Sequence, residues 1–139
     1  GDMVAGDAPS GDCGWKIALE IPQSEYLEKK VLCIKNQAVA TSGSTYQHYI
    51  KDNKVFSHII LPKTGMGINN TQNVTVITSS GTDADWLATA CSILSGKKAK
   101  SLITRIPETT LIITTPENKK DRYKIYGKKT LMYHLDHPD

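Results

Sequence analysis

The chain has 139 residues, of which 22% are charged, and a formal net charge of +3. These values are typical of one globular domain, expected over residues 1–139, which buries about two thirds of its unfolded surface. The basic excess is too small to indicate a nucleic-acid partner. No apolar run approaches the roughly 18 residues that cross a bilayer, so no membrane-spanning segment is expected. No targeting signal is expected either.

Short strands separated by turn residues are predicted along the first half of the chain. β-Branched and alternating apolar patterns indicate strands near Val4 and over residues 15–21, 31–35, 37–40 and 55–60, with a polar hairpin turn over residues 51–54. The three cysteines, Cys13, Cys33 and Cys91, lie far apart, in an odd number and without metal-ligand spacing. The sequence therefore predicts neither a disulfide framework nor a redox compartment.

Two of these strands carry residues that suggest a site. The strand over residues 37–40 runs into Thr41, Ser42 and Gly43, a pattern that suits either the close approach of a ligand or a tight turn. His58 lies within the strand over residues 55–60. A lone histidine in a strand serves a structural role more often than a catalytic one, so both interpretations stay open.

The chain is organised around residues 74–94, where a β-branched strand leads through small polar residues into a predicted helix over 82–95. Apolar residues recur on one side of this helix, whereas Asp85 and Thr89 lie outside that stripe and project side by side because they are four residues apart. One carboxylate and one hydroxyl offer two hard oxygens for Mg²⁺, which completes its octahedron with water and phosphate. The alternative is that Asp85 serves only the helix dipole and Thr89 only packing.

The remaining residues predict a second short helix over 97–105, a β-branched strand over 109–115, and a terminal hairpin that pairs 123–126 with 130–133. The expected fold class is α+β, with a mostly antiparallel sheet. The helix over 82–95 is expected to pack on this sheet together with the second short helix.

Five blocks of residues follow one another in a specific order. They are Ala5-Gly6-Asp7, Trp15, Ala38-Val39-Ala40-Thr41-Ser42-Gly43, His58-Ile59-Ile60-Leu61-Pro62-Lys63-Thr64-Gly65, and Val74-Thr75-Val76 with Ala84-Asp85-Trp86-Leu87-Ala88-Thr89-Ala90. In order and spacing these blocks resemble the ApbE family of flavin transferases, the FAD:protein FMN transferases. The match runs from about residue 4 to residue 115, and its last block is the most distinctive. The chain resembles the C-terminal half of such a protein.

The resemblance implies roles for individual residues. In the family, the Asp and Thr of the last block bind the Mg²⁺ that bridges the pyrophosphate of the flavin nucleotide, which implies Asp85 and Thr89 as metal ligands. The histidine of the fourth block is implicated in catalysis, which implies His58 as the general base. The cofactor-binding residues that the resemblance implies are Thr41, Ser42, Gly43, Thr64 and Gly65.

The implied reaction uses FAD and Mg²⁺ to attach FMN to a threonine of a partner protein, the flavin acceptor, and releases AMP. Leu61 stands where the family usually has an aspartate. This difference keeps open a non-catalytic module that binds flavin nucleotides or is purely structural, and also an enzyme that hydrolyses FAD to FMN and AMP. Family resemblance implies the bacterial cell envelope or periplasm as the location.

Overall fold

A computed structural model describes residues 1–19, 30–43, 48–70, 72–115, 122–128 and 132–134. Twelve strands and two helices are defined in this part of the chain. They are β1 (Asp2–Ala5), β2 (Trp15–Leu19), β3 (Lys30–Ile34), β4 (Gln37–Gly43), β5 (His48–Lys51), β6 (Lys54–Ser57), β7 (Ile60–Leu61), β8 (Met66–Gly67), β9 (Asn73–Thr78), α1 (Gly81–Ile93), α2 (Gly96–Ile103), β10 (Thr110–Thr115), β11 (Arg122–Gly127) and β12 (Met132–His134).

Both helices and eight of the strands form three layers, and the other four strands form two small sheets, β5-β6 and β7-β8. The middle layer is an antiparallel five-stranded sheet in the order β1-β4-β9-β10-β11. Helices α1 and α2 cover one face of it, and alanine, valine, leucine and isoleucine side chains fill the core between them. The other face packs through Val39, Ile77 and Ile112 against Leu32 and Ile34 of a second, three-stranded sheet in the order β12-β3-β2. The α+β fold class is therefore confirmed.

The centre of the molecule forms as its sequence predicts. β9 is almost entirely β-branched and is buried from Val74 to Thr78. α1 then buries one stripe against the sheet, made of Ala84, Leu87, Ala88, Cys91 and Ser92. The second short helix, predicted over 97–105, is α2, and it packs against α1, β10 and β11. Neither of the two helices described is long and apolar enough to cross a bilayer.

Two strand predictions are wrong. Of the partner strand predicted over 130–133, residues 130 and 131 lie outside the described residues, and 132 and 133 belong to β12, which pairs with β3. The segment 123–126 belongs to β11, which pairs with β10 along six residues. β10 would otherwise expose an edge, and a two-stranded hairpin alone is marginally stable, so the longer ladder in the main sheet is favoured. The strand predicted over 55–60 is interrupted at His58 and Ile59, because the Ser57 hydroxyl accepts a hydrogen bond from the Ile59 amide at 3.2 Å and turns the chain.

The prediction about the cysteines is also wrong in part. Cys13 and Cys33 form a disulfide, with Cα atoms 6.3 Å apart and a sequence separation of 20 residues. β2 and β3 are antiparallel neighbours, with Trp15 opposite Ile34 and Lys16 opposite Cys33, so folding brings the loop that precedes β2 against β3. Cys91 is the free, buried cysteine.

Candidate metal and nucleotide site

The N-terminal turn of α1 is fixed by local hydrogen bonds. Ser80 is the N-cap, and its hydroxyl accepts a hydrogen bond from the Asp83 amide at 3.2 Å. In addition, the Asp83 carboxylate accepts a hydrogen bond from the indole Nε1 of Trp86 at 2.9 Å. Asp83 is therefore already engaged in holding Trp86, whereas the next acidic residue along the helix, Asp85, lies on a different side.

Gly81, Asp85 and Thr89 form a ridge along α1, because residues four apart share a face of a helix. Asp85 is exposed and Thr89 is half-buried. Within the part of the chain that the structure describes, no side chain donates to or accepts from the Asp85 carboxylate or the Thr89 hydroxyl. Both oxygens of this ridge are available to a ligand.

The ridge faces the edge of the main sheet where β1 lies. A Cβ placed on Gly81 would lie 3.1 Å from Cγ2 of Val4, which belongs to β1. β1 is the edge strand of the sheet, and Val4 is 75% exposed. Asp85 and Thr89 continue the same ridge, so they lie over this edge and not over the side where α2 packs.

β4 extends beyond β1 at this edge. β1 pairs with Gln37–Ala40 of β4, and the ladder ends with Asp2 opposite Ala40. The last three residues of β4, Thr41, Ser42 and Gly43, pair with β9 on their other side only, among the strands described. Their backbone edge therefore opens toward the side of the molecule on which the α1 ridge lies.

The strand pleat separates the three polar residues at the end of β4. Ala38 and Ala40 pack in the core under α1, so Ser42 projects to the helix side, because side chains two apart share a face. Thr41 projects to the opposite face, where its hydroxyl lies 2.9 Å from the hydroxyl of Thr75. The sequence groups Thr41 with Ser42, whereas the structure divides them between two faces.

Gly43 lies where β4 comes close to the chain entering β9. It is opposite Asn73, and a Cβ at this position would overlap the side-chain amide of Asn73 and lie 3.0 Å from the carbonyl oxygen of Gln72. The absence of a side chain at Gly43 therefore lets the two backbones approach. This contact accounts for the glycine without any ligand.

Ser42 and Thr89 lie at similar distances along the sheet. Asn70, three residues before β9, donates through Nδ2 to the carbonyl oxygen of Ser92 at 3.1 Å, so the end of α1 lies near the start of β9. α1 therefore runs antiparallel to β9 and in the same direction as β4. From Gly81 to Thr89 a helix rises about 12 Å, and from Ala38 to Ser42 a strand rises about 13 Å. The sheet edge thus brings Asp85, Thr89 and Ser42 to the same side of the molecule.

His58 lies on a separate turn whose backbone is well fixed. The Ser57 amide donates to the Ile68 carbonyl at 2.9 Å, and the Ile68 amide donates to the Ile59 carbonyl at 2.9 Å, so both neighbours of His58 are held. The imidazole itself is exposed. Ile68 is two residues from Asn70, so the turn is connected to the C-terminal half of α1 by a short segment.

Thr64 and Gly65 form the turn between β7 and β8. The amides of both residues donate to the Leu61 carbonyl, at 3.1 and 2.9 Å, and Gly65 has a φ of +65° that favours glycine. The Thr64 hydroxyl accepts a bond from the Met66 amide at 3.3 Å. This turn follows the His58 turn along the chain, and its own hydrogen bonds account for both residues.

The donor set fits a metal that needs few protein ligands. The described residues contain no group of three or more His, Cys, Asp or Glu side chains that could hold a metal ion. A carboxylate and a hydroxyl one turn apart suit Mg²⁺, which commonly takes one or two protein oxygens and completes its shell with water and phosphate oxygens. The half-buried Leu61 contributes no third oxygen.

Sequence reasoning missed two contacts around this region. The bond from Asn70 to Ser92 anchors the end of α1, and the bond from Trp86 to Asp83 fixes the helix start. The first joins residues 22 apart and has no local signal. The second joins residues three apart on a helix, a spacing that the sequence does display.

Comparison with known proteins gives consistent matches. The model of the ApbE family matches residues 1–113 of the chain. The FAD:protein FMN transferase of Escherichia coli K12 is 34% identical over 102 residues, which are 72% of this chain and 29% of the relative. The protein of that name from Buchnera aphidicola is 36% identical over 104 residues, which are 73% of this chain and 31% of the relative. The chain spans about a third of the length of these relatives.

Solved structures show the same architecture. The apo form of the Pseudomonas stutzeri flavinyl transferase ApbE superposes with a TM-score of 0.71 at 27% identity, over 91% of this chain and 39% of that one. The ApbE protein of Thermotoga maritima superposes with a TM-score of 0.68 at 29% identity, over 81% of this chain and 37% of that one. This partial coverage fits a C-terminal portion of a longer protein.

Proposed function

Because the chain belongs to the ApbE family, we propose that it is the C-terminal portion of a Mg²⁺-dependent FAD:protein FMN transferase. Relatives that bear this name support the proposal. The structural observation that carries it is the ridge of α1, where Asp85 and Thr89 present two oxygens with no competing partner in the described chain. The end of β4, which has no β1 partner among the described strands, lies on the same side of the molecule as this ridge.

Asp85 and Thr89 would hold the ion, and Mg²⁺ bound there would spread the negative charge of the FAD pyrophosphate. The role of the protein in such a transfer is mainly positioning and charge stabilisation. Ser42 is the member of the β4 group on the helix side, so it is the proposed hydroxyl contact for the phosphates. Thr41 bonds Thr75 on the other face, and its proposed contribution is to hold the end of β4 in place.

The proposed reaction transfers FMN to a threonine of the acceptor protein. The threonine Oγ attacks the phosphorus on the FMN side of the FAD pyrophosphate, a phosphoester bond forms, and the bond to the AMP oxygen breaks, so AMP leaves. His58 is the proposed base that takes the threonine proton, and its exposed position lets a protein substrate approach. Thr64 and Gly65 are proposed to line the cofactor pocket, and the bacterial envelope or periplasm is the proposed location.

A second candidate is a module that binds FAD without turnover. Leu61 offers no carboxylate in the turn after His58, and the chain spans about a third of the length of its relatives, so it supplies only part of the residues of a complete enzyme. Hydrolysis of FAD to FMN and AMP is a variant of the first proposal in which water replaces the threonine.

Product analysis separates these functions. The chain is incubated with FAD, Mg²⁺ and an acceptor protein that carries the target threonine, and then AMP is quantified and the acceptor is examined for flavin fluorescence after denaturation. AMP together with a fluorescent acceptor supports the transferase, and AMP without acceptor labelling supports hydrolysis. Calorimetric binding of FAD without AMP supports the binding module.

The two aspartates at the start of α1 supply matched variants for this assay. Asp85→Asn is expected to abolish acceptor labelling. Asp83→Asn is expected to retain it, because the Asp83 side chain bonds Trp86 and lies on a different side of the helix from Asp85. If the chain neither binds FAD nor releases AMP in the presence of Mg²⁺, all three functions are overturned for this chain.

A further inference from the structure

The loop between β1 and β2, residues 6–14, is attached to β3 by a disulfide and to the β3–β4 turn by hydrogen bonds. Cys13 is bonded to Cys33 of β3. Asn36, in the turn, donates from its backbone to the Gly6 carbonyl at 2.9 Å and from Nδ2 to the Asp7 carboxylate at 3.0 Å. The Asp7 carbonyl also accepts a bond from the indole Nε1 of Trp15 at 3.0 Å. These contacts attach the loop to the second sheet and to the turn that follows β3.

The disulfide is the strongest restraint on this loop. The hydrogen bonds of Asn36 and Trp15 are exposed to water, which competes for the same groups, so each stabilises the loop weakly. Residues 6–14 contain no helix or strand of their own. Cys13 is exposed and Cys33 is buried, so Cys13 is the side from which a soluble thiol would approach the bond.

We propose that the Cys13–Cys33 disulfide is a redox-sensitive tether of the loop 6–14, closed in an oxidising compartment and released by a dithiol reductant. In the release step the dithiol gives two electrons and two protons: the Cys13–Cys33 bond breaks to two thiols, and the reductant forms its own disulfide. Helix α1 and the strands β4, β9 and β10 keep their fold, because the core between them contains neither Cys13 nor Cys33. This inference does not depend on the proposed catalytic activity.

The third cysteine does not take part in the exchange. Cys91 is fully buried in the core under α1, and this burial raises the pKa of its thiol to about 11. A thiol that stays protonated at neutral pH is a poor nucleophile, and buried it is also out of reach. Oxidised protein is therefore expected to show one thiol after denaturation, and reduced protein three.

The two tryptophans of the chain provide local reporters. Trp15 follows the tethered loop, Trp86 lies on the outer face of α1, and the two are similarly exposed, at 51% and 46%. The test measures acrylamide quenching in Trp86→Phe, which retains Trp15, and in Trp15→Phe, which retains Trp86. Each variant is compared in oxidised form and after reduction by dithiothreitol.

Reduction is expected to increase the acrylamide quenching of Trp15 and to leave the quenching of Trp86 unchanged. It is also expected to lower Tm by about 10 °C, because a cross-link that spans 20 residues is lost. Amide exchange is expected to rise in β1 and in the loop, but not in β9. Cys13→Ser is expected to match the reduced protein with or without dithiothreitol. Equal changes at both tryptophans, no change at either, or three free thiols in air-oxidised protein would each overturn the proposal.

Discussion

Leu87→Ala should be among the most destabilising single changes in the chain. Leu87 is fully buried between α1 and the main sheet, and it belongs to the core that seats the Asp85–Thr89 ridge. Removing a fully buried leucine side chain costs about 3–4 kcal/mol. With an unfolding entropy of about 2.1 cal/mol/K per residue, 139 residues give about 0.29 kcal/mol/K, so we expect Tm to fall by about 10–14 °C.

The neighbouring residue is the matched control. Trp86 is larger than Leu87 but 46% exposed, and among the described residues its indole bonds only Asp83 on the same helix. Trp86→Ala is therefore expected to cost about 1 kcal/mol, or about 3 °C. Both variants are measured by urea unfolding and by calorimetry. A Trp86→Ala cost equal to or larger than the Leu87→Ala cost would refute the assigned orientation of α1, and with it the position of the ridge.

Two other properties of the fold are open to measurement. Gly65→Ala adds a Cβ in open space at a φ of +65° and is expected to cost about 1–2 kcal/mol; Gly127→Ala, at a φ of +86°, is expected to cost more because its Cβ would overlap the Thr109 carbonyl oxygen. Paired urea curves check this order, and the reverse order would contradict the β10–β11 register. Burial raises the pKa of Cys91 from 9.0 to about 11, so the unfolded chain loses this proton first and the free energy of unfolding should fall between pH 9 and 11. Cys91→Ala should show a shallower decline in urea unfolding, and equal slopes would exclude a buried neutral thiol.

The centre of the fold could be predicted from the sequence because its signals are local. The β-branched run of β9, the serine cap of α1 and the apolar stripe that includes Leu87 each specify one element within a few residues. The side-by-side projection of Asp85 and Thr89 is likewise a property of one helix. Their position over the β1 edge required the sheet order, which one segment does not contain.

The errors concern contacts between distant segments. The sequence does not show that β11 finds the edge of β10 before it meets the end of the chain, nor that β2 and β3 place Cys13 against Cys33. The division of Thr41 from Ser42 follows from the strand pleat once β4 extends to Gly43, three residues farther than predicted. Pairing between distant segments therefore determined the partner of β11 and the disulfide, which the local patterns did not specify.

The Mg²⁺ dependence of FAD affinity tests directly whether the α1 ridge holds the metal. Calorimetric titration of FAD with and without Mg²⁺ is carried out on the chain, on Asp85→Asn and on Asp83→Asn. We expect Mg²⁺ to tighten FAD binding in the unmodified chain and in Asp83→Asn. In the presence of Mg²⁺, Asp85→Asn is expected to bind FAD about tenfold more weakly than the unmodified chain, which corresponds to about 1.4 kcal/mol. An unchanged Mg²⁺ effect in Asp85→Asn would contradict the assignment of the α1 ridge as the metal site.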